Sequence, residues 1–177
     1  MQNCLMIGSG RSKVERRLLA PGSMPESETV WTSVDIDADC MPSVVYDLED
    51  IEDGYALPFA AETFDEIHAY EVLPSFGTQG DVEGFFNTFK EFWRLLKPKG
   101  FFVATVPAFG GPWVHADPAS KRVIHPTSVR YLTLEFYDRL SKEPLADYRR
   151  LADGKWWKIV HDVVRDGGYH FGLQKCA

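Results

Sequence analysis

The amino-acid sequence predicts an α/β chain built on a mostly parallel sheet that closes with an antiparallel hairpin. Three observations carry this. Short apolar runs alternate with amphipathic segments, the first run ends in a tight glycine turn, and the last two β-rich runs flank Asp166-Gly167-Gly168. The 177 residues are the length of one domain and suffice for one sizeable core. With 45% hydrophobic and 14% aromatic residues, the composition is that of a packed globule.

Residues 3–7 are an apolar run that ends in Gly8-Ser9-Gly10, a buried strand entering a turn. A helix is expected next. Ser12 and Glu15 form a capping box, Val14 and Leu18 share a face, and Ala20-Pro21-Gly22 stops it. Thr29–Asp35 is a second strand ending in Asp35-Ile36-Asp37, and Ser43–Tyr46 a third ending in Asp47-Leu48. Both put acidic groups just past a strand's carboxyl end, where open α/β sheets bind ligands. Phe64–Tyr70 reads as a fourth strand. Asp81 then caps a long helix with Phe85, Phe89, Phe92, Trp93 and Leu96 at helical spacing, closed by Lys97-Pro98-Lys99-Gly100 before a fifth strand, Phe101–Val106. Trp157–Val164 and Tyr169–Lys175 form the terminal hairpin. Between the fifth strand and the hairpin runs a long connection, 107–155, with a helix expected near 126–140; such a connection is more often a functional cover than an idle loop.

Charge and composition exclude several partners. Against 19 Lys and Arg stand 26 scattered Asp and Glu, a net charge of −7, so duplex nucleic acid is a poor partner. No stretch approaches the ~20 apolar residues of a membrane span. The amino terminus lacks the basic and apolar regions of a secretory signal, so a cytoplasmic location is expected. Cys4, Cys40 and Cys176 are odd in number and far apart, which suits buried thiols better than disulfides or a zinc site.

The Gly8-Ser9-Gly10 turn lets a ligand approach the backbone closely. Lys13 stands where a dinucleotide fingerprint needs its third glycine, and no phosphate-binding P-loop motif occurs. A carboxylate past the second strand can accept two hydrogen bonds from a ribose diol; Asp35 is the first choice for that role and Asp37 the alternative. Glycine turn and strand-end acid together point to a nucleoside-bearing ligand.

In order, LMIGSG, VDID, YDLED, ALPFAAETFDEIHAYEVL and FFNTFKEFWRLLKPKGFFVATVP resemble the class I S-adenosylmethionine-dependent methyltransferases of small-molecule type. The resemblance spans residues 4–107 most clearly. It implies a Rossmann-like three-layer α/β/α sandwich, with a seven-stranded sheet and an antiparallel C-terminal hairpin strand, as a single domain over 1–177. It further implies S-adenosylmethionine as cofactor, with Gly8, Ser9 and Gly10 at its methionine portion and Asp35 on the ribose. Ile36 would pack on the adenine, Asp47 and Leu48 meet the adenine edge, and Tyr70 lie near the methyl group. Two departures stand out. Where relatives often carry a Glu-His pair, this chain has Glu71-Val72-Leu73-Pro74-Ser75. The sequence also opens directly at its first strand, where most relatives have a covering helical segment, so cover is expected from 107–155.

That segment holds His115 and Asp117, with Pro118, Lys121, Arg122 and Pro126 resembling a DPxxKR…P run of small-substrate methyltransferases. His115 or Asp117 would serve as general base for an acceptor hydroxyl or amine; the competing reading is a surface histidine and a turn-forming Asp before Pro118. A metal held by His115, Asp117 and His125 is disfavoured, as their spacing is not of a standard type. His68 reads as a hydrogen-bonded core residue. Arg149-Arg150 beside Trp156-Trp157 is thin evidence for single-stranded nucleic acid. The expected function is methyl transfer to a small or medium acceptor through an O- or N-nucleophile. Its rival from another class is a catalytically silent regulatory module that keeps the nucleoside pocket or the fold alone. Oligomeric state leaves no sequence signal.

Overall fold

Strand β1 (Gln2–Ile7) is central because its apolar side chains are buried on both faces: Cys4 and Met6 point one way, Leu5 and Ile7 the other. A computed structural model of the chain describes residues 1–11, 23, 25–140 and 145–176. The helix expected over 12–22 lies outside the described residues. From β1 the sheet extends through β2 (Thr29–Asp35), β3 (Val44–Val45), β4 (Phe64–Tyr70), β5 (Leu96–Pro107), β6 (Trp157–Arg165) and β7 (Gly168–Lys175), in the spatial order β3-β2-β1-β4-β5-β7-β6. The first five strands are parallel, while β7 runs antiparallel to β5 and β6 antiparallel to β7. This is the Rossmann-like α/β sandwich expected. Asp166 and Gly167 both have positive φ, 51° and 77°, as a type I′ turn between β6 and β7 requires.

Strand order reverses beside β1, whose neighbours are β2 and β4. Ligands of open α/β sheets bind outside the carboxyl ends at such a switch point, which here brings the ends of β1, β2 and β4 together.

The main core lies on one face, where the long helix α2 (Val82–Leu95) lays Phe86, Phe89 and Phe92 on β4, β5 and β7. Phe92 stacks on Phe102 of β5 at 4.9 Å, and Phe102 meets Phe171 of β7 at 6.1 Å. Asp81 caps α2 by accepting the Gly84 N–H. Glu91 and Arg94 of α2 tie down the loop before β4: Glu91 accepts the Leu57 N–H at 2.8 Å, and Arg94 donates to the carbonyls of Phe59 and Leu57. The other face carries a smaller apolar cluster, Met6, Tyr70 and Val103, beside Trp31 and Phe101.

Three expectations need correction. The helix of 126–140 is two helices, α4 (Pro126–Arg130) and α5 (Leu134–Leu140), because the Thr133 hydroxyl donates to the Arg130 carbonyl and accepts the Phe136 N–H, capping a new start. The fifth strand begins at Leu96 rather than 101: Pro98 biases Lys97 toward extended backbone, so Leu96 leaves the helix and pairs with Phe64. The third strand shortens to two residues.

One buried ion pair joins the 107–155 connection to the rest. Glu52, ending α1 (Glu49–Glu52), accepts Arg122 Nη1 at 2.5 Å and the Thr88 hydroxyl of α2 at 3.2 Å, and Arg122 Nε donates to the Leu73 carbonyl. Both side chains are about nineteen parts in twenty buried, 4% and 5% exposed. Burial pushes the Arg122 guanidinium below its ordinary value and the Glu52 carboxylate works against that shift; the guanidinium keeps its charge at any working pH. Removing one partner strands the other charge. Glu52→Gln or Arg122→Met is expected to cost about 3–5 kcal/mol, and the double variant less than the sum of the singles, as read by denaturant melts in a double-mutant cycle.

Candidate functional site

The carboxyl ends of β1, β2 and β3 and the turn after β4 enclose a cavity of about 160 Å³. Gly8, Asp35, Ile36, Asp47 and Leu48 all line it. The sheet register explains why: Ile7 pairs with Val34, and Val34 with Val44, so three strands end at one level.

Gly8 opens the turn at φ 64°, and a Cβ there would fall 2.7 Å from Val72 Cβ. Only glycine combines that backbone with that approach. Ser9 follows with its N–H on the Val34 carbonyl at 3.4 Å, shared with Gly8 N–H at 2.8 Å. Gly10 donates its N–H to Asp35 Oδ2 at 2.7 Å, while Asp35 Oδ1 accepts the Asp37 N–H at 3.0 Å. The Asp35 carboxylate thus fixes both the glycine turn and its own loop, and it is 9% exposed at the cavity wall. Two N–H donors leave lone pairs on a carboxylate for a ligand's hydroxyls. Asp37, the alternative acid, instead caps the turn 38–40 through the Asp39 N–H. Ile36 is 64% exposed and Leu48 7%, a pair of apolar surfaces on the cavity. Asp47 accepts the Glu49 N–H at 3.0 Å, at the start of α1.

Five lining residues escaped the sequence reading as cavity residues: Glu49, Val72, Ser75, Phe76 and Lys121. Pro74 and Ser75 lie in a single 3₁₀ turn, 73–75, and the Pro74 carbonyl accepts the N–H groups of Lys121 and Arg122 at 2.8 and 3.3 Å. This brings the 107–155 connection to the cavity. Lys121 then pairs with Glu49. Burial alone would raise the Glu49 carboxyl, but hydrogen bonds from Lys121 and the Gly77 N–H hold it below its ordinary value. The same bond to Glu49 pushes Lys121 up. YDLED and KR were the sequence signals for Glu49 and Lys121, legible as motif members but silent on their pairing.

Ser9 and Gly10 stand in the turn beside the cavity and are not among its lining residues, and three more expected residues sit elsewhere. Tyr70 ends β4 at 9% exposure, but its hydroxyl is 2.7 Å from His68 Nδ1, and it does not line the cavity. His68 is fully buried and hydrogen-bonded at both ring nitrogens, with Nε2 2.8 Å from Glu66 Oε2. Cys4, Glu66 and His68 bring ligand atoms within 4.8 Å of one another; Gln2 and Ser23 also donate to Glu66, so the group is a hydrogen-bonded network in the sheet. His115, in α3 (Trp113–Ala116), and Asp117 are exposed and are not among the lining residues of this cavity; Asp117 accepts the Ala119 N–H at 2.9 Å, the turn that Pro118 suggests.

The family model described as "Methyltransferase domain" matches residues 5–104, more than half of the chain. No curated protein matches. Among solved structures, an S-adenosylmethionine-dependent methyltransferase from Aquifex aeolicus aligns at TM-score 0.56 and 11% identity, over 98% of this chain and 81% of that one. The N-methyltransferase NodS from Bradyrhizobium japonicum aligns at 0.56 and 12%, over 99% and 86%. A Haloferax volcanii protein solved in complex with the Trm112 methyltransferase activator aligns at 0.61 and 12%, over 99% and 83%. At such identities the likeness is one of fold. With the family match, the strand order and the cavity at its switch point, the chain belongs to the methyltransferase domain family, of the class I, S-adenosylmethionine-dependent kind.

Proposed function

We propose that the chain transfers a methyl group from S-adenosylmethionine to the oxygen or nitrogen of a small or medium-sized acceptor. The observation that carries the reading is the cavity that Asp35, held by Gly10, shares with Asp47 and with the apolar side chains of Ile36 and Leu48. The donor set suits a nucleoside. Asp35 would hold the ribose hydroxyls, Ile36 and Leu48 the two faces or edge of the adenine, and Asp47 its amino group. Among the described residues nothing lies within 4 Å of where a Gly10 Cβ would stand, which leaves the turn open for the methionine portion.

Held by these residues, S-adenosylmethionine would supply a methyl group already activated by its sulfonium, so the chain would need no nucleophile of its own. The chain's own residues bind, orient and exclude solvent, and orientation is the largest expected contribution. Lys121 and Glu49, paired at the cavity, and the turn 73–75 form the wall between donor and acceptor sides. The 107–155 connection reaches this wall through Lys121 and Arg122 and in this reading covers the substrates within a single domain. His115 and Asp117, exposed, have no part in it. No helix among the described residues is long and apolar enough to cross a membrane.

Isothermal titration with S-adenosylmethionine and S-adenosylhomocysteine, with NAD as control, tests the reading: micromolar binding of the sulfur nucleosides and none of NAD is expected. Absence of all three would leave the fold as a silent module. Asp35→Ala is expected to weaken cofactor binding about tenfold or more, with a thermal melt reporting the loss of the Gly10 bond separately. The Glu49–Lys121 pair sets a pH dependence. Because the Glu49 carboxyl is held low, its contribution is fully present above the ordinary carboxylate range and is lost as pH falls through its depressed value. Folding stability, read by thermal melts, should therefore be flat across neutral pH and fall on acidification, and Lys121→Met should shrink the part of that fall due to Glu49.

A further inference from the structure

A second cavity, of about 210 Å³, lies at the start of α2 on the other side of the wall just described. Phe85, Phe86, Tyr131 and Tyr148 line it together with Ser128 and Arg122. The rings of Tyr131 and Tyr148 stand 5.5 Å apart, and those of Phe86 and Tyr148 6.2 Å apart, so one wall is a packed aromatic cluster. An engineered cavity of ~150 Å³ holds a benzene ring; this one has room for a substituted ring of similar size.

Arg122 supplies the polar end. Its Nε donates to the Leu73 carbonyl and its Nη1 to Glu52, while its Nη2, also buried, has no hydrogen-bond partner among the described residues. The guanidinium lies 4.8 Å from the Phe76 ring centre and 5.9 Å from that of Phe85, which fixes its plane. A buried, unsatisfied cationic donor is costly to leave alone, and a planar fork suits an sp² oxygen best. Glu52 already balances the charge of Arg122, so the site asks for an oxygen acceptor more than for an anion. Asp81, the other charged group at the cavity, accepts the Gly84 N–H.

The two cavities share their wall. Lys121 and Phe76 line the first, Arg122 lines the second, and Arg122 is both adjacent to Lys121 in the chain and stacked on Phe76. Methyl transfer needs donor and acceptor side by side. Resting on the methyl-transfer reading, we propose that the second cavity is the acceptor site, and that it takes a compact, planar, ring-bearing molecule whose carboxylate or carbonyl oxygen is received by Arg122.

The test uses benzoate, benzamide and benzylamine as probes, titrated into the isotopically labelled full chain by NMR, with and without S-adenosylhomocysteine. Benzoate and benzamide are expected to bind at about 1 mM or tighter and to shift the Arg122 Nε–H signal, and benzylamine to bind at least tenfold more weakly. Ser128→Phe, which fills the cavity without touching the Glu52–Arg122 pair, should abolish probe binding and leave S-adenosylhomocysteine binding intact. Arg122→Lys keeps the charge for Glu52 but loses the fork, and should weaken benzoate about tenfold. Benzylamine binding as well as benzoate would assign the site to an amine held by Asp81 and overturn the proposal, as would benzoate binding unchanged in Ser128→Phe. S-adenosylhomocysteine binding without benzoate binding overturns the acceptor assignment alone. Benzoate binding without S-adenosylhomocysteine binding overturns the methyl-transfer reading, and the acceptor role with it.

Discussion

The pairing of Glu52 with Arg122 is the interaction on which both cavities depend. Taking two charges out of water costs several kcal/mol each, and geometry must repay it. Here Glu52 receives Arg122 and Thr88, Arg122 also meets Leu73, and two aromatic rings flank the guanidinium. Gly77 is part of the same construction, because a Cβ there would overlap the Glu52 carboxylate. The pair contributes more to specifying position than to net stability. It pins a segment of the long connection against α1, α2 and the turn after β4, and so decides where one wall of each cavity stands.

In the cavity at the strand ends, a similar economy governs Asp35. One carboxylate fixes the glycine turn through Gly10 and its own loop through Asp37, while staying at the cavity surface. A ligand there meets a group whose orientation is already set, so less entropy is lost on binding. The division of charge is also informative. Acids cluster at the ends of β2 and β3 and on α1, and the bases that answer the α1 acids, Lys121 and Arg122, come from the connection after β5.

Much of this was legible in the sequence because local signals and global fold agree. The glycine turn, the strand-end acids at 35 and 47, the Asp81 cap and the Asp-Gly hairpin each have a short-range cause, and of the eight residues named from the cofactor resemblance Gly8, Asp35, Ile36, Asp47 and Leu48 line one cavity at the strand ends, where alternation and turn chemistry put them. The helix break at Thr133 and the early start of β5 were not legible, since each depends on a hydrogen bond or a pairing partner that periodicity does not encode. Tyr70 shows the same limit. Its place at the end of β4 follows from the strand, but the direction of its hydroxyl follows from His68, and that takes it away from the cavity.

The sequence by itself determined the α/β class, the order of strands along the chain, the family and the acids at the strand ends, because these rest on patterns within a few residues of one another. Tertiary structure alone decided that Lys121 and Arg122 close two cavities, that Glu49 and Glu52 receive them, and that His115 and Asp117 stay at the surface. The pairs are about seventy residues apart in the chain. Which charge meets which across that separation is settled by the packing that brings their backbones together, as when the Pro74 carbonyl receives both N–H groups of residues 121 and 122.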